Sequence, residues 1–290
     1  MHSHFSSTSS NSIHSKFLLA VLLNVTLAVT QVIYANQAHS VSLLSDALHN
    51  LGDVVGLVIA WGAQALATYR ASARYTYGYK KLTILASLSN ALILMGSVAI
   101  ILYEAFGNLT HVHQMNEIPV LIVALVGVVI NAGTALLFVK EKEADMNIKA
   151  AFLHLVIDAL TSLVVILSAV IIYFTGYQWI DSVLALVIAL VIFTTSWTLL
   201  RRALVLLLDA VPPHVNQNEV TKYLMGIPGV QSIENLHIWA VSTQESALTA
   251  HLLMHHGASQ EMDYALIQKE LVEKFSIQLV TLQRMHRQQS

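Results

Sequence analysis

Cysteine is absent from the 290-residue sequence, which removes disulfides, thiolate metal ligands and thiol catalysis together. Charge is scarce: 11% of residues are Asp, Glu, Lys or Arg, 56% are hydrophobic, and mean hydropathy is +0.63. Soluble globular chains carry about a quarter charged residues, so this balance indicates a membrane protein. The formal charge is −2 and the few basic residues form no stripe, which argues against a nucleic-acid partner. No small-residue cleavage site follows a short apolar core near the start, so no signal peptide is expected. Metal chemistry is left to carboxylates and to the fourteen histidines.

Residues 1–16 are Ser-rich, carry His2, His4 and His14, and are expected to form a disordered tail. That tail reads either as an ordinary mobile terminus or as a loose metal-collecting arm. Six apolar stretches follow, at Phe17–Ala35, Val41–Thr68, Leu82–Phe106, Ile118–Val139, Ala150–Phe174 and Trp179–Leu200. Each is close to the roughly 20 residues that a spanning helix needs. Basic residues fall in alternate connections: Lys16; Arg70, Arg74, Lys80 and Lys81; Lys140, Lys142 and Lys149; Arg201 and Arg202. The connections at Asn36–Ser40, Gly107–Glu117 and Thr175–Gln178 contain none. By the positive-inside rule both termini are cytoplasmic.

Composition changes at Asp209-Ala210-Val211-Pro212-Pro213, a stiff exit from the bilayer. The transmembrane domain is therefore placed at 17–208 and a small cytoplasmic domain at 209–290. In the latter, a helix is expected over Asn216–Met225, strands over Val230–Val241 and Ala247–His255, a helix over Gln260–Phe275 and a strand over Ile277–Met285. This order predicts an α+β sheet with helices on one face. A domain of that size would be helped by pairing with a second copy.

Two segments share one spacing. His49-Asn50-Leu51-Gly52-Asp53 and His154-Leu155-Val156-Ile157-Asp158 both read His-x-x-x-Asp, which puts imidazole and carboxylate on one helical face. Two such pairs meeting offer a tetrahedral N2O2 set, suited to Zn²⁺ or a similar ion. A carboxylate at mid-bilayer costs about 2.5–3.5 kcal/mol on insertion scales. Structural adhesion between helices is available from Ser, Thr or Asn at lower cost, so a functional site is expected. Asp46 lies one turn before His49, either as its orienting partner or in a structural role. Asn24, Asn90 and Asn131 are expected to bond between helices, and Glu104 and Asp181 to be solvated near the outer ends of their spans. Gly52, Gly56, Gly62, Gly127 and Gly133 suggest close helix contacts.

The segment from Ser40 to Asp53 closely resembles the second-helix signature of the cation diffusion facilitators. Tyr75-Thr76-Tyr77-Gly78-Tyr79-Lys80 resembles the loop that follows it, His154 to Asp158 the fifth-helix motif, and Asn235-Leu236-His237-Ile238-Trp239 a recurrent cytoplasmic segment. The resemblance runs from about residue 17 to 285. It implies a homodimeric metal/proton antiporter with six transmembrane helices per protomer and a ferredoxin-like cytoplasmic domain. His49, Asp53, His154 and Asp158 would then be the transport-site ligands. Histidine at the first position of the second-helix pair goes with zinc-type members; Cd²⁺ and Co²⁺ suit the same ligands. The Tyr69–Lys81 loop has neither His nor Asp, so the additional metal site that some relatives carry there is not expected. The short loop between the fourth and fifth spans favours a bacterial inner-membrane protein over vesicular relatives with long His-rich loops. Many relatives have an acidic residue where Thr83 stands.

In the cytoplasmic domain, His237, His251 and His286 form a candidate regulatory metal site, with surface or interface histidines as the alternative. Two other functions compete with transport. An intramembrane zinc hydrolase needs an open coordination position, and the sequence has no His-Glu-x-x-His motif, so an enzyme is not expected. A membrane-bound zinc sensor would bind without moving metal.

Overall fold

The computed structural model describes residues 7–110, 114–139, 146–255 and 263–285. Six long helices come first: α1 (Ser7–Ala38), α2 (Val41–Ala67), α3 (Leu82–Thr110), α4 (Glu117–Phe138), α5 (Met146–Thr175) and α6 (Trp179–Leu207). All six contain a segment long and apolar enough to cross a membrane. The expected spans match them closely, except that α1 begins at Ser7, well before Phe17. Once a helix is nucleated, each further residue adds one backbone bond, so the helix extends into the polar stretch where a disordered tail was expected. His2, His4 and His286 lie outside the described residues.

The chain divides into two compact units. One comprises the described residues up to Val58 together with Asn90–Trp197; the other comprises Ile59–Ser89 and Thr198 onward. In the first, the core contains Leu43, Ile101, Val120, Val165, Ile172 and Ile188. Large apolar side chains such as Val129 and Leu136 face outward at 64% and 71% exposure, as lipid-facing positions do. Tyr103, Tyr173 and Trp179 are exposed near helix ends, where aromatic rings sit at the interface of a bilayer.

Glycine spacing separates real contacts from open faces. A Cβ at Gly52 would lie 2.8 Å from Leu94, and one at Gly127 3.0 Å from Ser162 Oγ. Gly62 and Gly133 have open space beside them, contrary to the expectation of close approach, and Gly133 sits on the exposed side of α4. Gly56 is the tightest position, since a Cβ there would fall 1.9 Å from Asn90 Oδ1 and 2.4 Å from its Cγ. Gly56→Ala is therefore expected to destabilise the protein by about 1–3 kcal/mol through overpacking. Thermal unfolding in detergent should show a lowered midpoint, largely restored when Asn90→Ala is added.

Polar groups in the bundle depart from expectation. Asn24 donates to the carbonyl of Ala20 in its own helix. Asn90 Oδ1 and both side-chain atoms of Asn131 are buried without a hydrogen-bond partner. Among the described residues, asparagines that do bond between helices include Asn50, to Gln31 Oε1 at 3.1 Å, and Asn108, to Ser182 Oγ at 3.1 Å. Glu104 is exposed as expected. Asp181 is not solvated: it is 1% exposed. Its carboxylate accepts the amides of Val41 and Ser42 and the hydroxyls of Ser40, Ser42 and Ser168. It closes the first turn of α2, whose amides have no partner within the helix.

After α6 come α7 (Gln217–Met225), β1 (Val230–Ala240), β2 (Ser246–Met254), α8 (Tyr264–Phe275) and β3 (Leu279–Met285). Asn216 caps α7 and Asp263 caps α8 through their side-chain oxygens, the usual solution for orphan N–H groups. The sheet order is β1-β2-β3, with β1 antiparallel and β3 parallel to the central β2. Leu248, Ala250, Leu252 and Met254, alternate residues of β2, pack with Val220 and Leu224 of α7 and Ile267 and Leu271 of α8. Period-two alternation thus puts both helices on one face. The fold is an α-helical membrane protein with six spanning helices and a small C-terminal α+β domain. In the second unit, Lys80 pairs with Glu245 and Lys81 with Asp209. Thr83 Oγ1 accepts the amide of Thr243 at 3.1 Å.

Candidate metal site

The two His-x-x-x-Asp pairs meet. On α2, His49 Nδ1 lies 3.3 Å from Asp53 Oδ2, and on α5, His154 Nε2 lies 3.6 Å from Asp158 Oδ2. Between the helices, His49 Nε2 is 3.8 Å from Asp158 Oδ1 and His154 Nε2 is 3.5 Å from Asp53 Oδ2. The two imidazoles are set edge to face, with centroids 6.1 Å apart. Each carboxylate therefore faces both imidazoles, and each imidazole both carboxylates.

These separations have a chemical meaning. With Zn–N and Zn–O bonds of about 2.0–2.2 Å, neighbouring ligand atoms of a tetrahedron are about 3.3–3.6 Å apart. The four observed distances are of that size, but they engage both nitrogens of His49 and both oxygens of Asp158, so they describe a cluster from which one atom per residue would have to be chosen. One ligand atom each from His49, Asp53 and Asp158 also lie within 4.8 Å of one another, the only set of three or more such ligands among the described residues. His154 reaches both carboxylates but stands further from His49, so a small side-chain movement would complete the set. With a side chain 46% exposed it is also the most open of the four, whereas that of Asp158 is 2% exposed.

Burial sharpens the point. His49 Nδ1, Asp53 Oδ2 and Asp158 Oδ1 are buried and have no hydrogen-bond partner. Unpaired polar atoms in an apolar interior cost roughly 1–3 kcal/mol each, so a fold that keeps three of them together is arranged for something else that binds there. A cation takes their lone pairs directly. The donor set, two neutral imidazoles and two carboxylates, balances the charge of a divalent ion and suits Zn²⁺ better than the all-oxygen preference of Mg²⁺ or Mn²⁺.

Asp46 does not orient His49 by a direct hydrogen bond. Its carboxylate accepts from Gln31, Thr161 and Ser162 instead. Spacing alone exposes the acid but not these partners, which are amide and hydroxyl groups on other helices.

The cytoplasmic histidines are not gathered in the same way. His237 pairs with Thr249 across the β1–β2 ladder and His251 with Glu234, so the two are diagonal rather than opposed. His237 is exposed. His251 Nδ1 meets the side-chain amide of Asn235 at 3.1 Å. Asn235 has φ +50° at a shift in strand register, a bulge that Asn tolerates better than most residues. Among the described residues no third ligand joins this pair.

Comparison with known proteins places most of the chain. Residues 17–208 match the cation efflux transmembrane domain and residues 212–284 the cation efflux protein cytoplasmic domain. The metal cation efflux system protein CzcD of Cupriavidus metallidurans is 37% identical over 266 residues, 91% of this chain and 84% of that protein. The zinc transporter ZitB of Pectobacterium atrosepticum is 31% identical over 284 residues, covering 97% and 88%. A cadmium, cobalt and zinc/H(+)-K(+) antiporter of Bacillus subtilis is 28% identical over 244 residues, covering 83% and 78%. With its membrane and cytoplasmic halves both matched, the chain belongs to the cation efflux family, the cation diffusion facilitators.

Proposed function

We propose that this protein exports a divalent cation, Zn²⁺ with Cd²⁺ or Co²⁺ as alternatives, in exchange for protons, by alternating access around His49, Asp53, His154 and Asp158. The observation that carries the reading is the meeting of two His-Asp pairs from α2 and α5, with every imidazole within 3.8 Å of both carboxylates. The functions for which the relatives are named, metal efflux, zinc transport and antiport, agree with it. In this reading the chain is a homodimer in a bacterial inner membrane with cytoplasmic termini. Residues 17–208 form the transport domain and 209–290 the cytoplasmic one.

The coupling follows from the ligands. Imidazole and carboxylate bind metal only after losing their protons, so one site holds either the ion or protons. Moving a divalent ion against the potential costs about 4.6 kcal/mol per 100 mV, and counter-moving protons offset part of that charge. In proteoliposomes with an acidic lumen, zinc uptake is expected to accelerate, and to slow when an ionophore collapses the pH gradient. Uptake indifferent to the gradient would remove proton exchange from the proposal. Zinc binding without uptake would favour the sensor.

A further inference from the structure

Within a turn of the four ligands lies a second buried polar group. Asp46 is fully buried on α2. Its Oδ2 accepts from Gln31 Nε2 of α1 at 2.6 Å and from Ser162 Oγ of α5 at 2.8 Å, and its Oδ1 from Thr161 Oγ1 at 2.9 Å. Gln31 in turn accepts from Asn50 Nδ2 of α2 at 3.1 Å. The cluster contains no hydrogen bond to any of the four ligands' side chains. Its place in the helices is what matters. Asp46 precedes His49 by three residues, while Thr161 and Ser162 follow Asp158 by three and four, so the cluster joins α2 to α5 one turn from the ligands on each.

From this we infer that Asp46 is a positioning residue that sets the register of α2 against α5, and with it the spacing of the two His-Asp pairs. The inference rests on the reading of those pairs as the transport site. Both oxygens of one short carboxylate are engaged by three donors from two other helices, and Asp has few rotamers in which to do so. A shift of either helix by a fraction of an ångström would break part of the set. The fourth wall is equally close: a Cβ at Gly127 of α4 would lie 3.0 Å from Ser162 Oγ and 3.3 Å from Gln31 Nε2. Glycine there leaves room for the two donors to reach Asp46. His49 Nδ1, Asp53 Oδ2 and Asp158 Oδ1 have no hydrogen-bond partner to hold them, so their separation depends on how the helices carrying them are pinned.

The test uses full-length protein loaded with Co²⁺, whose ligand-field absorption is strong when tetrahedral and weak when octahedral. The transport-site spectrum is taken as the difference between wild type and His154→Ala. In Asp46→Asn, Gln31→Leu and Gly127→Ala, this spectrum is expected to weaken or shift. Zinc turnover should fall by about tenfold or more, the scale seen when groups that support metal ligands are lost, with a smaller change in KM. Thermal midpoints and elution profiles should stay near wild type in at least Gly127→Ala, which adds one methyl group and removes no donor. If the three variants keep the wild-type spectrum and turnover, the inference is overturned. It is overturned equally if the spectrum changes only in variants that have lost their fold. If wild type and His154→Ala give the same spectrum, the transport-site reading itself fails, a different result from either.

Discussion

Asp158→Asn is expected to abolish zinc transport while leaving the protein folded. Asp158 is the most enclosed of the four proposed ligands, with its side chain 2% exposed, and its two oxygens face different imidazoles, His49 at 3.8 Å and His154 at 3.6 Å. Asparagine keeps the volume and one carbonyl oxygen but removes the charge and replaces the other oxygen by an NH₂ group. That group is a donor aimed at a place meant for a cation. Changes that only disturb the surroundings of a metal ligand cost about 10–100-fold, so loss of a ligand charge should exceed about a hundredfold. Zinc uptake into proteoliposomes and calorimetric zinc binding to the same preparation measure the two halves of the effect. Because Asp158 Oδ1 has no hydrogen-bond partner in the protein, the substitution breaks no structural bond at that atom, and the thermal midpoint should not fall. Unimpaired uptake would remove Asp158 from the site.

Asp181→Ala should have the opposite profile, a large loss of stability. Two amides and three hydroxyls converge on this carboxylate from α2, α5 and the residue preceding α2. Truncation leaves the N–H groups of Val41 and Ser42 facing an apolar gap at a helix start, where the helix offers them no substitute. Breaking a buried charged cluster by removing one partner typically costs about 3–5 kcal/mol. For a protein of this size that corresponds to a fall in midpoint on the order of 10 °C. Glu104→Ala, at an exposed position near the same end of the bundle, should change the midpoint little and serves as the control. Equal midpoints for the two variants would show that the Asp181 cluster contributes nothing to stability.

The contrast between Asp158 and Asp181 shows what a sequence discloses. The ligand pairs are visible because imidazole and carboxylate recur four apart within apolar spans, and a helix turns that spacing into a shared face. Helix boundaries and the α+β domain were legible for the same reason: hydrophobic period, caps and turns are local signals. Asp181 looks like an ordinary acid at the first turn of a helix, since all its partners but Ser168 lie 139 to 141 residues away, in Ser40, Val41 and Ser42. The partners of Asp46 on α5 are 115 and 116 residues distant, and Thr243 reaches Thr83 across 160. Serine and threonine in an apolar helix carry no spacing that names a partner, because their hydroxyls also satisfy themselves on the preceding turn. Asn24 does the same with its amide, which is why an asparagine in a span did not announce which way it would bond.

The two buried acids of α2's surroundings together hold the first part of that helix, at Val41–Ser42 and again at Asp46. A rod gripped over its first turns behaves as a lever whose fulcrum lies beside the ion. At about 1.5 Å per residue, His49 is some 5 Å beyond Asp46 and Ala67 some 31 Å, so a tilt of about 10° moves the first by about 1 Å and the second by about 5 Å. A tilt about that point would leave the His49 imidazole nearly in place, so the geometry of the candidate cage is set by the start of the helix and not by its far end.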